Sequence, residues 1–232
     1  MSHEVNEQMN KPMSNAVGAT GKLRQMILVW DMPVRVFHWL LVICFAGAWL
    51  TSESERLQMI HYAFGYTACF LILIRLVWGV IGTRYARFSQ FLKSPKAVLG
   101  HFMAMLRGHP HHDVGHNPAG GLVMVVLMVL ILVIGLSGYL SVKEVLGDFA
   151  GEIHESVASL ALAVVILHVL AAIIMSLLEK QNLVRSMVNG KKQGMPEQAI
   201  RYPQYLVGAV ILLGSLYFFY LILSGALPAL TQ

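Results

Sequence analysis

Charge is scarce in this sequence. Asp, Glu, Lys and Arg make up 12% of 232 residues, against 56% hydrophobic, and the mean hydropathy is +0.64. Such values exclude an ordinary soluble domain and point to an integral membrane protein. Cysteine is scarcer still. Cys44 and Cys69 both lie in apolar runs, and no C-x-x-C or C-x-x-C-H pattern exists. That argues against a zinc knuckle or covalent c-type haem attachment and leaves both thiols as small hydrophobes. The first 25 residues hold no apolar stretch of the kind found in a cleavable secretion signal. No internal repeat and no Gly-rich phosphate loop of Walker or Rossmann type occurs.

What is present is a series of long apolar segments, about 34–52, 57–82, 120–141, 150–178 and 205–227. A bilayer core needs about 20 residues of helix, and each run approaches or exceeds that length. The first is the shortest, with an apolar core of 36–50 unless the helix begins near Pro33. The basic residues sort by side. Lys11, Lys22, Arg24 and Arg35 precede the first run, five Lys/Arg fall between the second and third, and five more between the fourth and fifth. Only Arg56 and Lys143 lie on the opposite side. Fourteen against two is a strong positive-inside bias. The pI near 9.3 is therefore explained without nucleic acid. The N-terminus is expected in the cytoplasm and, with five spans, the C-terminus on the outer side of the membrane.

The fourth run organises the rest, because it carries His154 and His168. A histidine inside hydrocarbon is costly and marks a functional site by default. Fourteen residues correspond to about 21 Å of helix, and fourteen steps of roughly 100° fall about 40° short of four turns. Both rings thus leave one face, otherwise lined by Ala158, Ala161, Val165 and Ala172. A flat group could lie there at two levels. Two further histidines fall within the runs: His61 at the outer level, and His38 entering from the cytoplasmic side. Depth pairs His61 with His154 outside and His38 with His168 inside. The inner match is looser, since His38 is shallower unless the fourth span tilts or protrudes. Two imidazoles fill both axial positions of a haem iron, which favours electron transfer over oxygen binding. Facing helices of a bundle are a standard support for such a group. The expected fold is all-α: a membrane-embedded four-helix haem-binding bundle with one additional C-terminal transmembrane helix, holding two haem b.

Arg75 follows His61 by the same fourteen residues and is expected at the inner level. It could bind a haem propionate through a bidentate fork, or snorkel to the headgroups. Arg35, one turn from His38, could steady a propionate or a semiquinone, though headgroup binding is the plainer reading. Asp31 with Pro33 reads as a helix start, and Asn117 with Pro118 as another. Residues 1–25 are expected to be disordered and cytoplasmic, 26–190 to form the di-haem unit, and 191–232 a basic linker with the fifth span. The loop cluster His109, His111 and His112 reads as solvated rather than metal-binding. Gly135 and Gly138 should allow close packing of the third span. The fifth span has no histidine and reads as an anchor or partner-contact helix.

The segment from Trp30 to Trp39, the run Arg75-Leu76-Val77-Trp78-Gly79, the stretch 115–121 and the His154/His168 pair together resemble the bacterial di-haem cytochrome b561 family. That family includes the b-type subunits of nickel-iron hydrogenases and formate dehydrogenases. The resemblance spans about 29–190. It implies a membrane cytochrome of the respiratory chain that exchanges electrons between quinone and a periplasmic redox protein or a dehydrogenase or reductase subunit. It also implies His38, His61, His154 and His168 as the iron ligands. An inner quinone site would lie among His38, Arg35, Arg75, His168 and Asn117. The alternatives are a self-sufficient superoxide:quinone or ferric reductase, and a non-redox transporter or proton channel using the histidines as a relay. An electron-transfer subunit is preferred over a self-sufficient enzyme because no flavin or NAD domain is visible.

Overall fold

The computed structural model describes residues 24–92, 94–106 and 114–231. The expectations for residues 1–23 and for the His109–His112 cluster lie outside them. Five helices are long and apolar enough to cross a membrane. They are α1 (Met32–Thr51), α2 (Gln58–Ile81), α5 (Pro118–Val142), α6 (Asp148–Leu178) and α8 (Tyr205–Leu223). The short helices α3 (Phe88–Phe91) and α4 (Pro95–Leu106) lie between α2 and α5, and α7 (Leu183–Asn189) follows α6. Strands β1 (Gln25–Leu28) and β2 (Lys191–Gly194) complete the elements used below.

Helix starts follow from local chemistry. Asp31 caps α1 by accepting from the Val34 N–H at 2.9 Å. Asn117 caps α5 by accepting from the Gly120 N–H at 2.7 Å. Each cap precedes a proline in the first turn, where no N–H is needed. α6 runs for 31 residues, about 46 Å, well beyond the roughly 30 Å of a hydrocarbon core. It therefore tilts or protrudes.

α1 and α2 pack together, and α8 lies against both. Rings fasten α8 to α2: Phe70 stacks on Phe218 at 4.7 Å, and Phe64 meets Phe219 at 4.9 Å. α5 joins α2 to α6, and glycine permits both contacts. A Cβ on Gly135 would overlap Cys69 Sγ of α2, and one on Gly138 would press the His154 ring of α6. α6 leans on α5 and α7 and makes no extended contact with α1 or α2 among the described residues.

The basic end of the bundle is closed by a small cap that the sequence did not suggest. β1 pairs antiparallel with β2, Gln25 opposite Gly194 and Leu28 opposite Lys191. Gln25, expected in the disordered stretch, is thus the first residue of a strand, and the basic segment after α6 supplies its partner. Gly190 ends α7 in the left-handed region, φ 79°. Its carbonyl accepts from the Val29 and Trp30 N–H groups at 2.8 and 3.0 Å. Ile27, Val29, Trp30, Val34, Tyr85, Ala86 and Ile200 form the buried core of this cap.

Candidate haem-binding sites

At the end opposite the cap, α2 and α6 bring His61 and His154 together. Their ring centroids are 6.0 Å apart and their planes cross at 68°. Each ring is fixed by its Nδ1, His61 to the Ala48 carbonyl and His154 to the Ile134 carbonyl, both at 2.9 Å. A carbonyl only accepts, so each Nδ1 carries the proton and donates it. A neutral ring then holds its lone pair on Nε2, the tautomer that metal ligation requires.

The spacing can be tested against a metal. With bonds of about 2.0 Å to each nitrogen and a ring radius of about 1.2 Å, two imidazoles across one ion have centroids about 6.4 Å apart. The observed 6.0 Å fits. Among the described residues no group of three or more His, Cys, Asp or Glu could hold a bare ion. Two nitrogens alone do not make a zinc site; they suit an iron whose other positions are filled by a macrocycle. Gly65, a turn beyond His61, adds no side chain on that face, and a Cβ there would meet nothing within 4 Å.

The basic-end site is less tightly arranged. His38 on α1 and His168 on α6 are half-buried and within electrostatic reach of each other. The Nδ1 of His38 is buried with no hydrogen-bond partner, so it lacks the fixing that both opposite-end rings possess. Arg75 does not snorkel: it is 1% exposed. Its Nη2 donates to the Ala86 carbonyl at 2.9 Å, and the guanidinium lies 5.2, 5.9 and 6.0 Å from the rings of Phe88, Phe91 and Phe37. Nε and Nη1 are buried without partners; they lie on opposite edges of the guanidinium, so each is left for a separate acceptor. Arg35 donates to the Val188 carbonyl, and its Nε is buried without a partner.

Three further residues shape this end. His116 sits against Trp30 at 4.6 Å and Phe91 at 5.1 Å, with Nδ1 buried and unpartnered. Burial first, then the charges of Arg75 and Lys192, push its pKa down to about 3, so the ring is neutral. It lies outside the spans, which is why sorting histidines by depth passes over it. Lys192, buried on β2, reaches the Gly115 carbonyl at 3.5 Å. Asp31 is fully buried and, besides capping α1, accepts from Trp78 Nε1 at 3.0 Å and from the Thr83 hydroxyl at 2.6 Å. The Asp-x-Pro pattern announced the cap, but nothing local announced the other two donors.

A multi-pass all-α membrane protein with opposed, proton-fixed imidazoles inside its bundle is of the b-type cytochrome class. Residues 29–190 match the prokaryotic cytochrome b561 family, and the chain belongs to that family. It is similar to a probable Ni/Fe-hydrogenase B-type cytochrome subunit of Rhizobium leguminosarum bv. viciae, 21% identical over 77% of this chain and 94% of that protein. A protein of the same description from Bradyrhizobium diazoefficiens is 22% identical over 78% of this chain and 91% of its own. The probable Ni/Fe-hydrogenase 1 B-type cytochrome subunit of Escherichia coli K12 is 29% identical over 39% of this chain and 49% of its own. No solved structure matches the chain. Family and fold together make it a membrane electron-transfer protein that uses haem b.

Proposed function

We propose that this chain carries electrons across a bacterial inner membrane, between quinone and a periplasmic redox partner, using two haem b. His61 and His154 would hold the outer group, and His38 and His168 the inner one. The observation that carries this reading is the His61–His154 pair: 6.0 Å between centroids, with both Nδ1 atoms engaged by backbone carbonyls. A bis-imidazole haem supplies one-electron ferric/ferrous chemistry with no open position for oxygen. The chain's part is to fix tautomer and orientation through Ala48 and Ile134, and to keep water out with α1, α2, α5 and α6. At the basic end, Arg75 would offer one of its two unpartnered groups, Nε or Nη1, to a propionate. Arg35 and Asn117 stand at the same end, where a quinone headgroup would be received. Asn117 spends its side-chain oxygen on the helix cap, which leaves its amide N–H groups for a carbonyl ligand.

The side assignment rests on the positive-inside bias read from the sequence, fourteen Lys/Arg in the segments on one side of the spans against two on the other. It places the N-terminus in the cytoplasm and the C-terminus in the periplasm. The similarity to hydrogenase cytochrome subunits supports a membrane-bound partner enzyme, and this reading puts that partner at the periplasmic face. Purified protein from haem-replete cells should contain about two b-type haems per chain, reducible by a water-soluble quinol. A colourless preparation, or haem that quinol leaves oxidised, would contradict the reading.

A further inference from the structure

α1 and α6 carry His38 and His168, yet among the described residues these helices make no extended contact with each other. What joins them is α7, which packs on both. The connection begins on the face of α6 that holds His168. Ala172 and Ser176 follow that histidine by one and two turns, and Ser176 Oγ donates to the Ala172 carbonyl at 2.6 Å. The same oxygen accepts from the Leu183 N–H at 3.0 Å, which pins the first residue of α7 back onto α6. Lys180, at φ 51°, turns the chain between the two helices. At its other end α7 gives carbonyls to α1. Met187 accepts from Trp39 Nε1 at 3.1 Å, and Val188 accepts from the Arg35 guanidinium. These two donors bracket His38: Arg35 is one turn before it, and the Trp39 ring stands at 89° to the His38 ring with centroids 5.1 Å apart. His38 Nδ1 has no hydrogen-bond partner of its own, so neighbouring packing and the path of α1 set where that ring points.

We propose that α7 is the spacer of the basic-end haem site, setting the distance and ring angle between His38 and His168 through Trp39 on one side and Ser176 on the other. The inference rests on the two-haem reading above. Trp39 and Ser176 are positioning residues, acting on the iron ligands through the backbone of α7. They are links of one bridge in series, so weakening either loosens the same joint and weakening both adds little. Arg35 and the Gly190 carbonyl also hold the far end of α7 to the start of α1. Loss of the Trp39 bond therefore tilts the bridge without releasing it.

The test uses purified full-length protein from haem-replete cells, with a haem count, the low-spin ferric EPR spectrum and the rate of haem transfer to excess apomyoglobin. The EPR signal reports the angle between the two axial imidazole planes, and the signal that vanishes in both His38→Ala and His168→Ala belongs to the basic-end haem. In Trp39→Phe, which keeps a ring without the N–H, and in Ser176→Ala, that signal should shift. That haem should also leave about tenfold faster, the low end of what losing a supporting partner costs, while the His61–His154 signal stays in place. The double variant should be no worse than the more affected single one. Ser176→Thr, which keeps the hydroxyl, should behave as wild type. The inference is overturned if neither single variant changes the basic-end signal or release rate, if the effect falls on the other haem, or if the two effects multiply. Should Trp39→Phe fail to fold, Ser176→Ala against Ser176→Thr decides. Fewer than two haems in the wild type would end this inference and the two-haem reading together; two haems with an unmoved basic-end signal would end this inference alone.

Discussion

Gly138→Ala reaches the site through a single methyl group. A Cβ built there lies 2.9 Å from His154 Nδ1 and 3.0 Å from Cε1, whereas carbon contacts are comfortable at about 3.5–4.0 Å. The ring would have to retreat by roughly 0.5–1 Å. It cannot do so and keep its bond to the Ile134 carbonyl, already 2.9 Å long, because N–H···O bonds weaken beyond about 3.2 Å. Losing such an outer partner typically costs about 10–100-fold in affinity, or about 1.4–2.7 kcal/mol. The helix itself gains about 0.5–1 kcal/mol from replacing glycine by alanine, so the protein should fold. The assay is haem per chain after a detergent wash, with a reduced-minus-oxidised spectrum. The expected result is selective loss of the His61–His154 haem with the other retained. Full retention of both, with unchanged spectra, would refute the argument that His154 is held in place for ligation.

Gly65→Ala meets nothing in the chain, so it should raise the thermal stability of haem-free protein while lowering opposite-end haem content. Unchanged haem content would show that the space is not the cofactor's. Asp31→Ala removes a helix cap, about 0.5–2 kcal/mol, and orphans the Trp78 and Thr83 donors, about 1–3 kcal/mol each. A large drop in melting temperature in detergent is expected, with Asp31→Asn milder because it keeps one acceptor oxygen. His116 contributes a pH dependence of definite sign. The unfolded ring takes a proton near 6.5 and the folded ring only near 3. Its share of cap stability is therefore complete above about pH 6.5 and shrinks as pH falls toward 3. Trp30, in contact with His116, should report cap loosening by fluorescence below pH 6.5. His116→Phe should remove that step, and a step persisting in the variant would contradict the assignment.

The spans were legible because length and apolar content decide them, and His61 and His154 were matched in depth by their positions about four residues inside two spans that run the same way. Depth could not show that the rings face each other; the coordinates add the 6.0 Å separation. The carbonyls that fix the rings were invisible, since every residue has one and nothing distinguishes Ala48 or Ile134 as sequence. The cap was invisible for another reason. β2 reads Lys-Lys-Gln-Gly and lacks the apolar alternation of a strand, yet Lys192 is 4% exposed. Its partner strand is more than 160 residues away, so no local pattern joins them. For Arg75, position alone left two destinations open, propionate or headgroup. Burial among Phe37, Phe88 and Phe91 removes the second.

The central claim is that four imidazoles meet two by two. Haem counting on paired substitutions tests it most directly. His61→Ala and the double change with His154→Ala should each leave about one haem per chain, because both remove the same group. Combining His61→Ala with His168→Ala should leave none. If the His61/His154 double variant instead lost both haems, or the His61/His168 double variant kept one, the pairing would be wrong.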